Sequence, residues 1–172
     1  MSTDSQTKCV SEGFTTEQFY LIQSNGVDNR FIVSLRNPND ILYMLNSFIE
    51  KAQHELQVRV RDLDDSENPI DFDGQVKKED LIKAITRYHN ALFHNGYFDL
   101  MIRHPETGDY IVFDEHGLIF IYSQEDFSVF LDSLQIPFNP DEKLPYEYGH
   151  WHYKSEEGSA ELQQLIKDLD LK

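Results

Sequence analysis

Two histidines flank the single tryptophan of the chain, in His150-Trp151-His152. In an extended backbone alternate side chains share a face, so both imidazoles would reach one ion, and zinc and related transition metals take imidazole nitrogen readily. Glu147, just upstream, is the candidate third ligand. Two histidines without a defined third donor equally describe ordinary surface or hydrogen-bonded histidines. A second constellation is the acidic run from Asp62 to Gly74. Alternating oxygens can cage calcium, and Asp62, Asp64 and Ser66 fall on the first three ligand positions of a helix–loop–helix calcium loop. Further along the match ends, because Glu67 stands where the sharp turn needs glycine and Asp73 where a longer bidentate glutamate belongs. A solvated acidic loop, or a surface that attracts a basic protein, fits the run as well.

The aromatic series Tyr146, Tyr148, Trp151 and Tyr153 is interleaved with Glu147 and His150. Tyrosine and tryptophan in an irregular segment are typical interface anchors, and equally typical of a lid packed over a sheet. His89 falls on the apolar face of a helical pattern and is expected in the core. His94, near the end of that pattern, suits the negative end of the helix dipole. Cys9 sits in a polar stretch with nothing to activate a thiolate. There is no glycine-rich phosphate loop, no Gly-x-Ser-x-Gly elbow and no Cys-x-x-Cys pair. The sequence therefore assigns no catalytic residue and no cofactor.

Charge narrows the partners. The chain carries 31 Asp and Glu against 15 Lys and Arg, a formal net charge of −16 over 172 residues. Such a surface repels nucleic acid and anionic membranes and attracts metal ions or basic proteins. One cysteine excludes an internal disulfide. No apolar run approaches the roughly 20 residues of a membrane helix. No signal-peptide pattern opens the chain, so the expected compartment is the cytoplasm.

The elements that must position these groups follow from periodicity. Residues Met1–Glu12 read as a disordered tail and 13–172 as a single domain. Phe19–Gln23 and Phe31–Leu35 read as strands. Asn37 caps a helix with Pro38 at its first position, and Ile41, Met44, Leu45, Phe48, Ile49 and Ala52 form its apolar face. Leu56, Val58 and Val60 alternate with polar residues as a half-buried strand. A second helix spans Lys78–His94 with Leu81, Ile82, Ile85, His89 and Leu92 inward. Strands at Tyr97–Arg103, Tyr110–Phe113 and Leu118–Tyr122 form a meander. Ser123 and Asp126 resemble a capping box for a short helix. Pro137–Glu157 reads as irregular, and Leu162, Leu165, Ile166 and Leu169 mark a last helix. The expectation is an α+β fold: a mainly antiparallel sheet with about four helices packed on it.

The stretch Gly117–Leu134, with Ser123, Phe127, Phe130 and Leu131, resembles the strand-then-helix ending of SUKH domains. There a hydrophobic strand runs into a Ser-x-Phe-x-x-Phe-Leu-like helix. Here three residues, not one, separate Ser123 from Phe127. The resemblance implies a bacterial immunity protein, which neutralises a cognate toxin by binding it.

Together these readings predict an acidic, cytoplasmic, non-enzymatic protein-binding module whose partner is basic, such as a nuclease toxin. Asp62, Asp64, Asp65, Glu67, Asp71 and Asp73 would supply the attracting field, and Tyr146, Tyr148 and Trp151 the desolvated anchors. The alternatives are a metal-binding protein or metal-dependent hydrolase built on His150, His152 and Glu147, and an assembly subunit that inhibits nothing.

Overall fold

Strand alternation and helix caps set the architecture in the computed structural model, which describes residues 8–14, 17–24 and 29–172. In chain order the strands are β1 (Cys9–Ser11), β2 (Phe19–Ser24), β3 (Asn29–Ser34), β4 (Leu56–Asp62), β5 (Ile70–Val76), β6 (Phe98–Arg103), β7 (Tyr110–Phe113), β8 (Leu118–Tyr122) and β9 (His150–His152). The helices are α1 (Pro38–Glu50), α2 (Lys78–Arg87), α3 (His89–His94), α4 (Ser128–Ser133) and α5 (Glu156–Asp168). Seven strands form one antiparallel sheet in the order β2-β3-β8-β7-β6-β4-β5. β1 and β9 pair in a separate two-stranded ribbon. The fold is α+β, as the mixed element order predicts.

The two faces of the sheet are covered differently. On one face Val33, Val58, Leu100, Ile102, Ile111 and Ile121 pack with the buried sides of α1, α2 and α5. α1 begins as expected: Asn37 Oδ1 accepts the Asn39 N–H at 2.9 Å, and Ile41, Met44, Leu45, Phe48 and Ile49 are buried. On the opposite face Phe19, Leu21, Ile32, Leu118 and Phe120 pack with Leu144. The segment that follows α4 therefore lies across β2, β3 and β8. It leaves Gln57, Arg59 and Arg103 of β4 and β6 uncovered, along a shallow groove of about 500 Å³.

Several expectations change. Residues 9–11 of the expected tail form β1, and Lys8 is fully buried; Met1–Thr7 lie outside the described residues. The acidic run is no loop but a hairpin, with β5 returning along β4. Alternation hid this, because β5 is a polar edge strand with little apolar signal. The second helix breaks at Tyr88, whose hydroxyl donates to Asp168 of α5. The break turns Tyr88, Ala91, Leu92 and Phe93 inward and His89 outward, so His89 is not a core residue. It divides the expected second helix into α2 and α3. Ser123 caps no helix: its Oγ accepts the Glu125 N–H, and α4 starts only at Ser128. The irregular stretch contains β9. No helix among the described residues is long and apolar enough to cross a membrane.

Leu45 is wholly enclosed between α1 and the sheet. Leu45→Ala should cost about 2–5 kcal/mol, read as a lower urea midpoint at unchanged slope.

Candidate metal centre

The turn between β7 and β8 is built around one carboxylate. Asp114 Oδ1 accepts the backbone N–H of His116 at 3.0 Å and of Leu118 at 2.8 Å. Its Oδ2 accepts Nδ1–H of the His116 ring at 2.8 Å. Gly117 supplies the positive φ of 79° that closes the turn. From β6, Asp99 Oδ1 accepts the Glu115 N–H at 2.9 Å. The turn and the imidazole it carries are thus fixed together.

β9 lies over this turn. Its register with β1 sets Cys9 opposite His152, Val10 opposite Trp151 and Ser11 opposite His150. Pleating sends His150 and His152 to one face and Trp151 with Val10 to the other. The outer pair is 55% and 49% exposed, and both histidines are half-buried. His150 donates its Nδ1–H to the Tyr148 carbonyl at 3.0 Å, and His152 its own to the Glu115 carbonyl at 3.3 Å.

His116, His150 and His152 therefore converge. One ring nitrogen from each lies within 4.8 Å of the others. The ring centres are 5.0 Å apart for His116–His150, 5.0 Å for His116–His152 and 5.3 Å for His150–His152. An imidazole bound at the usual Zn–N length has its centre about 3.2 Å from the ion, so two rings at the tetrahedral angle stand about 5.2 Å apart. In all three rings Nδ1 is spent on an oxygen acceptor, which leaves Nε2 as the available donor. Anchored Nδ1–H groups of this kind orient metal-binding histidines and raise their basicity.

Comparison of the chain with family models, with curated proteins and with solved structures finds no match.

Electrostatics at this end of the sheet are tightly balanced. Burial opposes protonation of His116, but the Asp114 carboxylate outweighs it and the pKa rises. Burial lowers that of His152, helped by the neighbouring rings and opposed by Glu115. The Lys8 ammonium is enclosed by the Phe98 and Phe113 rings, 3.9 and 4.3 Å from their centres, and donates to the Phe98 carbonyl at 3.2 Å. Burial brings it down to about 8, against the pull of Asp114, Asp99 and Glu115. Burial likewise raises the Asp99 carboxyl, while Lys8 opposes the rise.

Of the residues singled out in the sequence, His150 and His152 meet as expected, but the third ring is His116. Glu147 instead accepts the Leu144 N–H at 2.6 Å and closes its own turn, outside the cluster. His116 gave no sequence signal beyond its place in a hairpin turn two residues after an aspartate. Tyr146 reaches the cluster's edge, its ring 5.5 Å from His116, and stays 41% exposed; Tyr148 is half-buried. Cys9 is buried, and desolvation pushes its thiol up to about 11, the opposite of an activated nucleophile.

The acids divide among partners. Asp71 pairs with Arg61 at 2.7 Å and Asp73 with Arg59 at 2.7 Å. Asp64 pairs with Lys154, and Asp62 accepts from Gln163 at 3.2 Å. Asp65 accepts the Glu67 N–H at 3.1 Å, and both residues remain exposed at the hairpin tip. Among the described residues these acids form no three-ligand group, so the calcium cage is absent there.

Lys8 gives a sign that can be measured. The unfolded chain keeps the ordinary lysine pKa of 10.5 while the folded value is about 8, so across that window the unfolded chain binds more protons. Stability conferred by the neutral amine therefore appears as pH rises through the window. Relative to Lys8→Met, the wild type should gain up to roughly 3 kcal/mol between about pH 7.5 and pH 10.5, read by urea melts. Parallel pH profiles for the two proteins would remove the buried-ammonium account.

Proposed function

We propose that the protein binds a transition-metal ion of the zinc class through His116, His150 and His152. The observation that carries this reading is the set of three rings, each tethered through Nδ1 and spaced as ligands of one tetrahedral ion. Neutral imidazoles favour zinc, copper, nickel or cobalt over calcium and magnesium, which prefer oxygen. Asp114 supplies the carboxylate partner behind one ligand, a common arrangement in zinc sites. The remaining coordination position falls to water or another small donor.

Titration calorimetry with zinc should give about one equivalent bound, and calcium should give none. His116→Ala, or His150→Ala with His152→Ala, should abolish binding. Asp114→Asn should weaken it roughly 10- to 100-fold. A folded protein that takes up no zinc, copper, nickel or cobalt ends this reading.

A second reading is favoured by the outer face of the ribbon. Val10 and Trp151 stand exposed there, and the Asp64–Lys154 pair draws the acidic hairpin tip to the same end of the molecule. Aromatic anchors beside acids suit a basic protein partner, and the SUKH resemblance makes a toxin encoded beside this gene the candidate. On this reading the protein is a cytoplasmic immunity protein and no enzyme. Asp65→Asn with Glu67→Gln should slow association with that gene product at low salt, and Trp151→Ala should speed dissociation. Unchanged rates in both variants would discard it.

A further inference from the structure

We infer that an ion at this centre staples the β1–β9 ribbon to the main sheet and so controls access to Cys9. The inference rests on the metal reading above. The three ligands belong to two separate sheets: His116 comes from the β7–β8 turn, and His150 and His152 from the ribbon. Apart from an ion, the ribbon is tied to the rest of the protein by polar contacts and by the Lys8 side chain enclosed between Phe98 and Phe113. Gly96 N–H donates to the Tyr153 carbonyl at 2.8 Å, His152 to the Glu115 carbonyl at 3.3 Å, and Lys8 to the Phe98 carbonyl. The approach is close, since a Cβ on Gly96 would stand 2.0 Å from the Lys8 carbonyl oxygen. The ribbon itself is short, with three residues in each strand. A short ribbon outside the main sheet can open locally at less than the cost of global unfolding. An ion bound across the gap must lose a ligand before the ribbon can lift.

Cys9 lies on the same face as its cross-strand neighbour His152 and is buried beneath the ribbon. It is the single cysteine of the chain. Its thiol therefore reports ribbon opening without any engineered label.

The test follows backbone hydrogen exchange at residues 9–11 and 150–153, and alkylation of Cys9 by iodoacetamide, with and without zinc. At a free zinc concentration about 100 times Kd, both rates should fall roughly 10- to 100-fold in the wild type. His116→Gln removes the sheet-side ligand and leaves both ribbon histidines, so zinc should then slow neither rate. His150→Gln with His152→Gln removes the ribbon side and should give the same loss. Direct capture of zinc by the thiol would slow alkylation without slowing exchange, and would overturn the staple. Protection that persists in His116→Gln would also overturn it, because the ion would then be held by the ribbon alone. Zinc bound at full stoichiometry with unchanged exchange rejects the staple and leaves the metal reading standing. No zinc bound rejects both.

Discussion

The Asp114 carboxylate organises the end of the sheet that carries the three-histidine cluster. Its two oxygens accept two backbone N–H groups and one imidazole N–H, so a single side chain shapes the β7–β8 turn and aims His116. Hydrogen bonds to a carboxylate are charge-assisted and stronger than neutral ones. Asp99 clamps the same turn from the neighbouring strand. The nearby buried Lys8 is desolvated, and the surrounding carboxylates partly offset that cost. An ion held by three neutral imidazoles would bring its full charge into this setting, and Asp114, Asp99 and Glu115 are placed to balance it.

The net charge of −16 already subtracts every lysine and arginine, so ion pairs redistribute it without reducing it. Arg59 and Arg61 on β4 take up Asp73 and Asp71 directly across the ladder. Such half-exposed pairs contribute little to stability, yet they cancel the local charge of Asp71 and Asp73 on this hairpin. What stays unpaired in this region is concentrated at the hairpin tip, around Asp65 and Glu67.

The fold was legible wherever burial leaves a periodic trace. α1 declared itself through Asn37, Pro38 and its apolar stripe, and the meander through alternation broken by Gly108 and Gly117. β5 was illegible because an edge strand facing solvent needs no apolar residues. β1 was illegible because three residues of ribbon carry no period. The break at Tyr88 depends on a contact with Asp168, far away in the sequence. The candidate metal site was half legible for the same reason: His150 and His152 are local partners in one strand, whereas His116 joins them only through the docking of two sheets. Glu147 was a reasonable local choice, and the turn it closes claimed it first.

The ribbon joins the two proposed activities in one piece of structure. Strand pleating puts His150 and His152 on its inner side and Trp151 with Val10 on its outer side, so neither set can move without the other. An ion that fixes the inner side would fix the outer aromatic face as well. Preorganising an exposed anchor removes part of the ordering cost of association. Metal occupancy and partner affinity would then be linked and reciprocal: an ion that strengthens partner binding must itself be bound more tightly in the complex. Neither the histidines nor the tryptophan alone implies this coupling. It follows from their alternation along a strand too short to bend between them.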